Sequence, residues 1–155
     1  SSRGTTILLW SRHRAAYALY AGLAQRFPEL RIVIDHMGYA LEVSAEHPAA
    51  ADELGALARF PLMHVKLSLH CQHSRMGYPW PDVFGLQRQL ISDFGASRCL
   101  WGSNWPMQSG EVSYAQRLTT VSEAFDFRSD EERSWGLAGT AAALWPNERT
   151  VMQRR

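Results

Sequence analysis

Apolar and polar residues alternate along this chain in two rhythms that take turns. The run Thr5-Thr6-Ile7-Leu8-Leu9-Trp10 is rich in β-forming residues and predicts a short strand. Ala16, Leu19, Tyr20, Leu23 and Phe27 then fall at i, i+3, i+4, i+7 and i+11, one face of a helix that Pro28 stops. Arg31-Ile32-Val33-Ile34-Asp35-His36 is nearly continuous in β-branched residues, as in parallel strands buried on both faces. A loop holding Gly38 and Pro48 leads to a helix over about 49–60, and Met63 to Leu69 reads as a third strand. The segment 70–81, with Gly77, Pro79 and Pro81, reads as loop. From Asp82 a helix carries Val83, Leu86, Leu90, Ile91 and Phe94 on one face and stops at Gly95. Arg98 to Gly102 is a fourth strand, ending in the turn Ser103-Asn104-Trp105-Pro106. A helix over about 113–125 carries Leu118, Val121 and Phe125. Ser129 with Glu132 forms a capping-box signature that opens a helical stretch to Trp145, before Pro146.

Strands starting near residues 5, 31, 63 and 98, each followed by a helix, predict four parallel βα units with right-handed crossovers. Four such units make either a small doubly wound sheet or half of an eight-fold barrel, and periodicity does not separate the two. Residues 1–146 read as one domain and 147–155 as a polar tail. The 155 residues are 46% hydrophobic and 20% charged with a net charge of +1, an ordinary globular balance. So neutral a chain gives no electrostatic case for nucleic acid or an anionic membrane, and a small-molecule substrate is the partner expected once the strand-end motifs are taken into account. No apolar run approaches the roughly 18 residues of a membrane span. Ser1-Ser2-Arg3 leads directly into the first strand, so no secretory signal is expected, and the missing methionine predicts a processed or trimmed chain. Cys71 and Cys99 make no disulfide framework, and a cytoplasmic location is expected.

In either parallel architecture, chemistry gathers at the carboxyl ends of the strands. Those ends read Trp10-Ser11-Arg12-His13, Asp35-His36-Met37-Gly38, Ser68-Leu69-His70 and Gly102-Ser103-Asn104-Trp105-Pro106. Each candidate has a plain alternative. His36 can be a core histidine bonded to backbone, Asp35 a holder of loop amides, and Asn104 a residue that shapes a turn. His70-Cys71-Gln72-His73 offers metal-ligand types, but without a second pair it reads as a loop feature. Arg12 and His13 suit either an anionic substrate or a solvated loop, and His47 and His64 look incidental. Trp80 and Trp101 suit packing, while Trp105 is the tryptophan best placed to touch a ligand. Ser103 lacks a nucleophile elbow, and no phosphate-binding glycine loop is present.

Four motifs in order then become specific. Ile32 to Gly38 resembles the sixth strand of the amidohydrolase-related family, and Val65-Lys66-Leu67-Ser68 its seventh. Phe94 to Pro106 resembles the eighth, with Asn104 where the family has aspartate, and Gly139 to Trp145 resembles the closing helix, with Thr140 in place of asparagine. The resemblance implies an α/β fold, the C-terminal half of a (β/α)8 TIM barrel carrying strands five to eight. It implies a lactonase-like hydrolase that attacks a lactone or carboxylated ester with activated water. His36 and Asn104 would take catalytic positions, with Ser68, His70 and Trp105 against substrate. His36 would be a metal ligand if a divalent metal such as zinc is bound, and a metal-free site is equally allowed. The two catalytic positions are expected on adjacent strands at one rim. The family's first-strand His-x-His pair does not precede His36, and an amide at 104 cannot act as a base. A fragment with impaired activity is therefore expected, its two sheet edges and inner face open to a complementary half-barrel or a second copy. The alternatives are a catalytically silent binding remnant and a self-sufficient open α/β domain that binds a small molecule.

Overall fold

The computed structural model describes residues 5–45, 47–68, 70–107 and 112–146. Four strands, β1 (Thr6–Leu9), β2 (Arg31–Ile34), β3 (Met63–Ser68) and β4 (Cys99–Gly102), form one sheet in chain order with every pair parallel. Parallel neighbours demand a crossover between successive strands. The helices that provide them and follow them are α1 (Ala15–Arg26), α2 (Ala40–Ser44), α3 (Ala50–Gly55), α4 (His70–His73), α5 (Phe84–Phe94), α6 (Tyr114–Thr119), α7 (Asp130–Ser134) and α8 (Thr140–Leu144). The strand starts and the two long helices agree with the periodicity of the sequence. The polar tail expected at 147–155 lies outside the described residues.

The sheet sorts its side chains by the alternation that a strand imposes. Ile32 and Ile34 of β2, Met63, Val65 and Leu67 of β3, and Cys99 of β4 join Leu54, Leu90 and Phe94 in the main core. The opposite face carries Leu8, Val33 and His64 side by side, then Lys66 beside Leu100 and Ser68 beside Gly102. This second face is less open than expected. Val33 and Leu100 are buried in a small cluster with Leu144 of α8, against which Ala141 packs. Leu8, on edge strand β1, stays 48% exposed. The last helix therefore covers part of the face that a half-barrel was expected to leave bare. Leu144→Ala should lower stability by about 2 kcal/mol, near the low end for a buried leucine because the cluster is small. Urea unfolding checks this, and an unchanged midpoint would mean that the helix does not hold the sheet.

Two local expectations are corrected, the loop over 70–81 and the Ser129–Glu132 capping box, and one is refined. The segment 70–81 is not all loop, since α4 forms at its start and Pro81–Val83 make a 3₁₀ turn. So short a helix draws its stability from tertiary contacts, not from the propensity of His-Cys-Gln-His. The helix expected over about 113–125 forms as α6 continued by a π-helical turn, Thr120–Ala124, and its capping box is Ser113 with Gln116. Ser129 does cap the amide of Glu132, but the Glu132 carboxylate accepts from the Arg128 amide instead of closing the box.

Candidate functional site

All four strands point the same way, so their carboxyl ends share one rim. At the end of β2 the chain enters a turn in which His36, Met37, Gly38 and Tyr39 all have positive φ, between 50° and 59°. For L-residues this conformation is disfavoured by roughly 1–2 kcal/mol each, so surrounding contacts must hold it. Gly38 suits the turn twice over, since a Cβ there would also press to 3.0 Å from a Leu54 methyl. Gly38 N–H donates to Asp35 O at 3.0 Å, and the Tyr17 hydroxyl donates to Gly38 O at 2.8 Å. Asp35 accepts from the His36 amide at 3.0 Å and pairs with Lys66 Nζ at 2.6 Å.

His36 emerges from this turn buried, with Nδ1 at 2.8 Å from Ser68 Oγ at the end of β3. Burial is the main cause that pushes its imidazole down to about 4; Asp35 opposes it, while Lys66, His73 and Arg12 add to it. Near neutral pH the ring is thus uncharged. The Asp35 carboxylate, 3.4 Å from Nδ1, favours the proton on that nitrogen and leaves Nε2 as a lone-pair base or ligand. Tyr39 packs edge-on against His36, takes a hydrogen bond from Trp10 Nε1 at 3.0 Å and lies under the Arg12 guanidinium. Residues from the ends of β1, β2 and β3 therefore converge on His36.

Asn104 follows β4 on the same rim, but β3 separates its strand from β2, so the two strands are not adjacent as expected. Two inter-strand spacings set them about 10 Å apart, room for a small substrate between them. Asn104 adopts φ 54°, a left-handed conformation asparagine tolerates well, and its carbonyl accepts from Met107 N–H at 3.0 Å. It does shape a turn. Arg117 is buried and donates to Ser103 O at 2.9 Å and also to Met107 O, bracing the loop from α6. Trp105 is 47% exposed, edge-on to Tyr114.

His70 faces α5, where its Nε2 lies 2.6 Å from Gln87 Oε1, and it lines a narrow crevice with Trp80, Trp101, Ser103 and Arg117. Burial pushes the His70 imidazole down to about 4. An unfolded histidine takes up its proton near 6.5, so between about pH 6.5 and 4 the unfolded chain binds a proton that the folded one refuses. Stability should fall as pH drops through that window, by up to roughly 3 kcal/mol from this residue. Urea unfolding at pH 7 and 4.5 measures it, and His70→Gln should flatten the slope; an equal slope in the variant would refute the assignment.

His64 is structural, its Nδ1 lying 3.1 Å from Leu62 O, and Thr140 donates to Ala96 O. Lys66, Tyr39, Glu42 and His73 were not anticipated at the rim. Lys66 had a signal, because His64, Lys66 and Ser68 alternate with apolar residues and must share a face.

Among the described residues no group of three or more histidine, cysteine, aspartate or glutamate side chains is placed to hold a metal ion. His36 can give one neutral nitrogen, and Asn104 brings no charge. Catalytic zinc takes three protein ligands, so these residues alone do not fit a complete zinc site.

The amidohydrolase family profile matches residues 4–146, and the chain belongs to that family. It is 36% identical over 103 residues to an L-fucono-1,5-lactonase of Burkholderia ambifaria, a stretch covering 64% of this chain and 33% of that protein. The fold resembles a zinc-bound amidohydrolase of Burkholderia multivorans, with TM-score 0.76, 23% identity, and coverage of 90% of this chain and 51% of that one. It also resembles a putative 2-pyrone-4,6-dicarboxylic acid hydrolase of Pseudomonas putida, with TM-score 0.66, 24% identity, and coverage of 92% and 62%. The fold is thus the C-terminal half of a TIM barrel, and the chain spans a third to about three fifths of the length of these relatives. No helix among the described residues is long and apolar enough to cross a membrane.

Proposed function

We propose that this chain carries the C-terminal half of a lactone-hydrolysing active site, with His36 polarising the carbonyl or receiving a proton and Asn104 orienting the attacking water. The observation that carries the reading is the buried, uncharged His36, bonded through Nδ1 to Ser68 at the strand-end rim that also bears Asn104. Its support for lactones, and not for esters at large, is the 36% identity to the fucono-lactonase. A neutral imidazole with a free lone pair is the form that can take a proton from water near neutral pH. Ser68 would orient the ring, and the exposed Trp105 would offer an apolar wall to the substrate ring. The site is completed from outside these residues by a complementary half-barrel that pairs with edge strands β1 and β4, or by a second copy. Any divalent metal would need its remaining ligands from there. A cytoplasmic setting belongs to the same reading and rests on composition alone.

The test is hydrolysis of sugar 1,5-lactones by the chain alone and mixed with the N-terminal half of the Burkholderia ambifaria lactonase. We expect little activity alone, measurable activity in the mixture, and its loss in His36→Asn. Absence of lactone hydrolysis in both would defeat the proposal. Asn104 favours one second reading, a catalytically silent binding remnant, because an amide replaces the one group that could be an anionic base there. Lactone binding in the mixture without turnover would support it.

A further inference from the structure

His73, at the end of α4, sits between two acceptors. Its Nδ1 lies 2.6 Å from Glu42 Oε1 of α2, and its Nε2 lies 3.1 Å from the backbone carbonyl of His36. Its side chain is 1% exposed, and its ring is edge-on to Tyr39, which is also edge-on to His36. We propose that His73, held by Glu42, is a positioning residue that sets the orientation of the His36 side chain. This rests on His36 being the working group of the site.

The physical case starts from the backbone. The His36–Tyr39 turn is left-handed throughout, a conformation that non-glycine residues hold only when their surroundings over-determine it. Five hydrogen-bonded contacts do so: Asp35 on the His36 amide, Asp35 O on the Gly38 amide, Tyr17 on the Gly38 carbonyl, the Ala40 amide on the Met37 carbonyl, and His73 on the His36 carbonyl. Only the first and last grip the peptide groups that flank His36, and together they fix the direction of its Cα–Cβ bond. A carbonyl oxygen and a carboxylate both only accept, so each of these contacts is a hydrogen bond when the ring nitrogen facing it carries the proton. A glutamine at 73 can reproduce one of these bonds and a phenylalanine neither. Glu42 lies in the segment after β2 and His73 in the segment after β3. Their contact ties the two strand ends between which His36 and Ser68 bond. Misplacement of a reacting group by about 1 Å can cost 10²-fold in rate, so such a tie bears directly on function.

The experiment uses the full chain with His73→Phe, His73→Gln and Glu42→Gln, and reads the imidazole ¹H–¹⁵N spectrum. In His73→Phe the His36 ring signals should move and lose the signature of an Nδ1 bonded to Ser68, while those of His64 stay in place. His73→Gln should recover much of the original pattern. If His73→Phe does not fold, Glu42→Gln is read by the same criterion. Unchanged His36 signals in the folded variant would overturn the proposal. Because the spectrum needs no turnover, it separates failure of this inference from failure of the lactonase reading. Where lactone hydrolysis is seen, kcat should drop about 10–100-fold in His73→Phe with KM nearly constant.

Discussion

Asn104→Asp should raise lactone hydrolysis by about 10²–10⁴-fold, the usual contribution of a positioned general base, when this chain is paired with a complementary N-terminal half. The substitution is close to isosteric, and aspartate tolerates the left-handed conformation of Asn104, φ 54°, nearly as well as asparagine does. The turn depends on the Asn104 carbonyl and on Arg117 gripping Ser103 and Met107, none of which involves the side-chain amide. The loop geometry should therefore survive, and the measured change should report the carboxylate itself. With its strand about 10 Å from that of His36, a carboxylate there could take a proton from water while His36 serves the carbonyl. A second signature follows: activity should gain an acid limb in the carboxylate range, falling as pH drops and the introduced carboxylate is protonated. Equal rates for the two proteins would mean that the amide suffices for turnover, or that the site binds without reacting.

Strand positions were legible because a parallel strand buried on both faces writes itself as a local apolar run, as in Ile32-Val33-Ile34. His36 and Asn104 were legible for the same reason, since a residue just past such a run lies at the rim. The lateral arrangement was not. Chain order alone leaves β2 and β4 as neighbours or one strand apart, and only the hydrogen-bond ladder places β3 between them. The turn at His36–Tyr39 carries just one glycine, so nothing in its composition announces four left-handed residues. His73 and Glu42 meet across 31 positions with no local pattern to join them. His70 follows a strand end and invites a place in the pocket. Its pairing with Gln87 of α5, a buried polar partner, had no local signal in the sequence. Leu144 likewise reads as one face of a terminal helix, and its place on the sheet follows from Val33 and Leu100 needing cover.

Lys66→Met should cost about 2–4 kcal/mol of stability, because it strands a largely buried carboxylate. Lys66 Nζ lies 2.6 Å from Asp35 Oδ1, with side chains only 17% and 15% exposed. The lysine stem runs over Gly102, where a Cβ would come within 2.6 Å of Cε, so the absence of a side chain at 102 leaves the channel that the stem fills. Methionine has nearly the same length and flexibility and fits that channel, which keeps the packing loss small and isolates the electrostatic part. The same change removes a cation that helps to hold the His36 imidazole down, while Asp35, which raises it, remains. The His36 titration should accordingly move up from about 4 toward the ordinary histidine value. Unfolding in urea gives the first quantity and the His36 ring signals followed against pH give the second. Asp35→Asn combined with Lys66→Met strands neither charge and should recover much of the loss, though the amide at 35 must still accept from the His36 N–H. A coupling energy below about 0.5 kcal/mol in that double-mutant cycle would mean that solvent screens the pair. The uncharged state of His36 would then rest on its burial, with little help from Lys66.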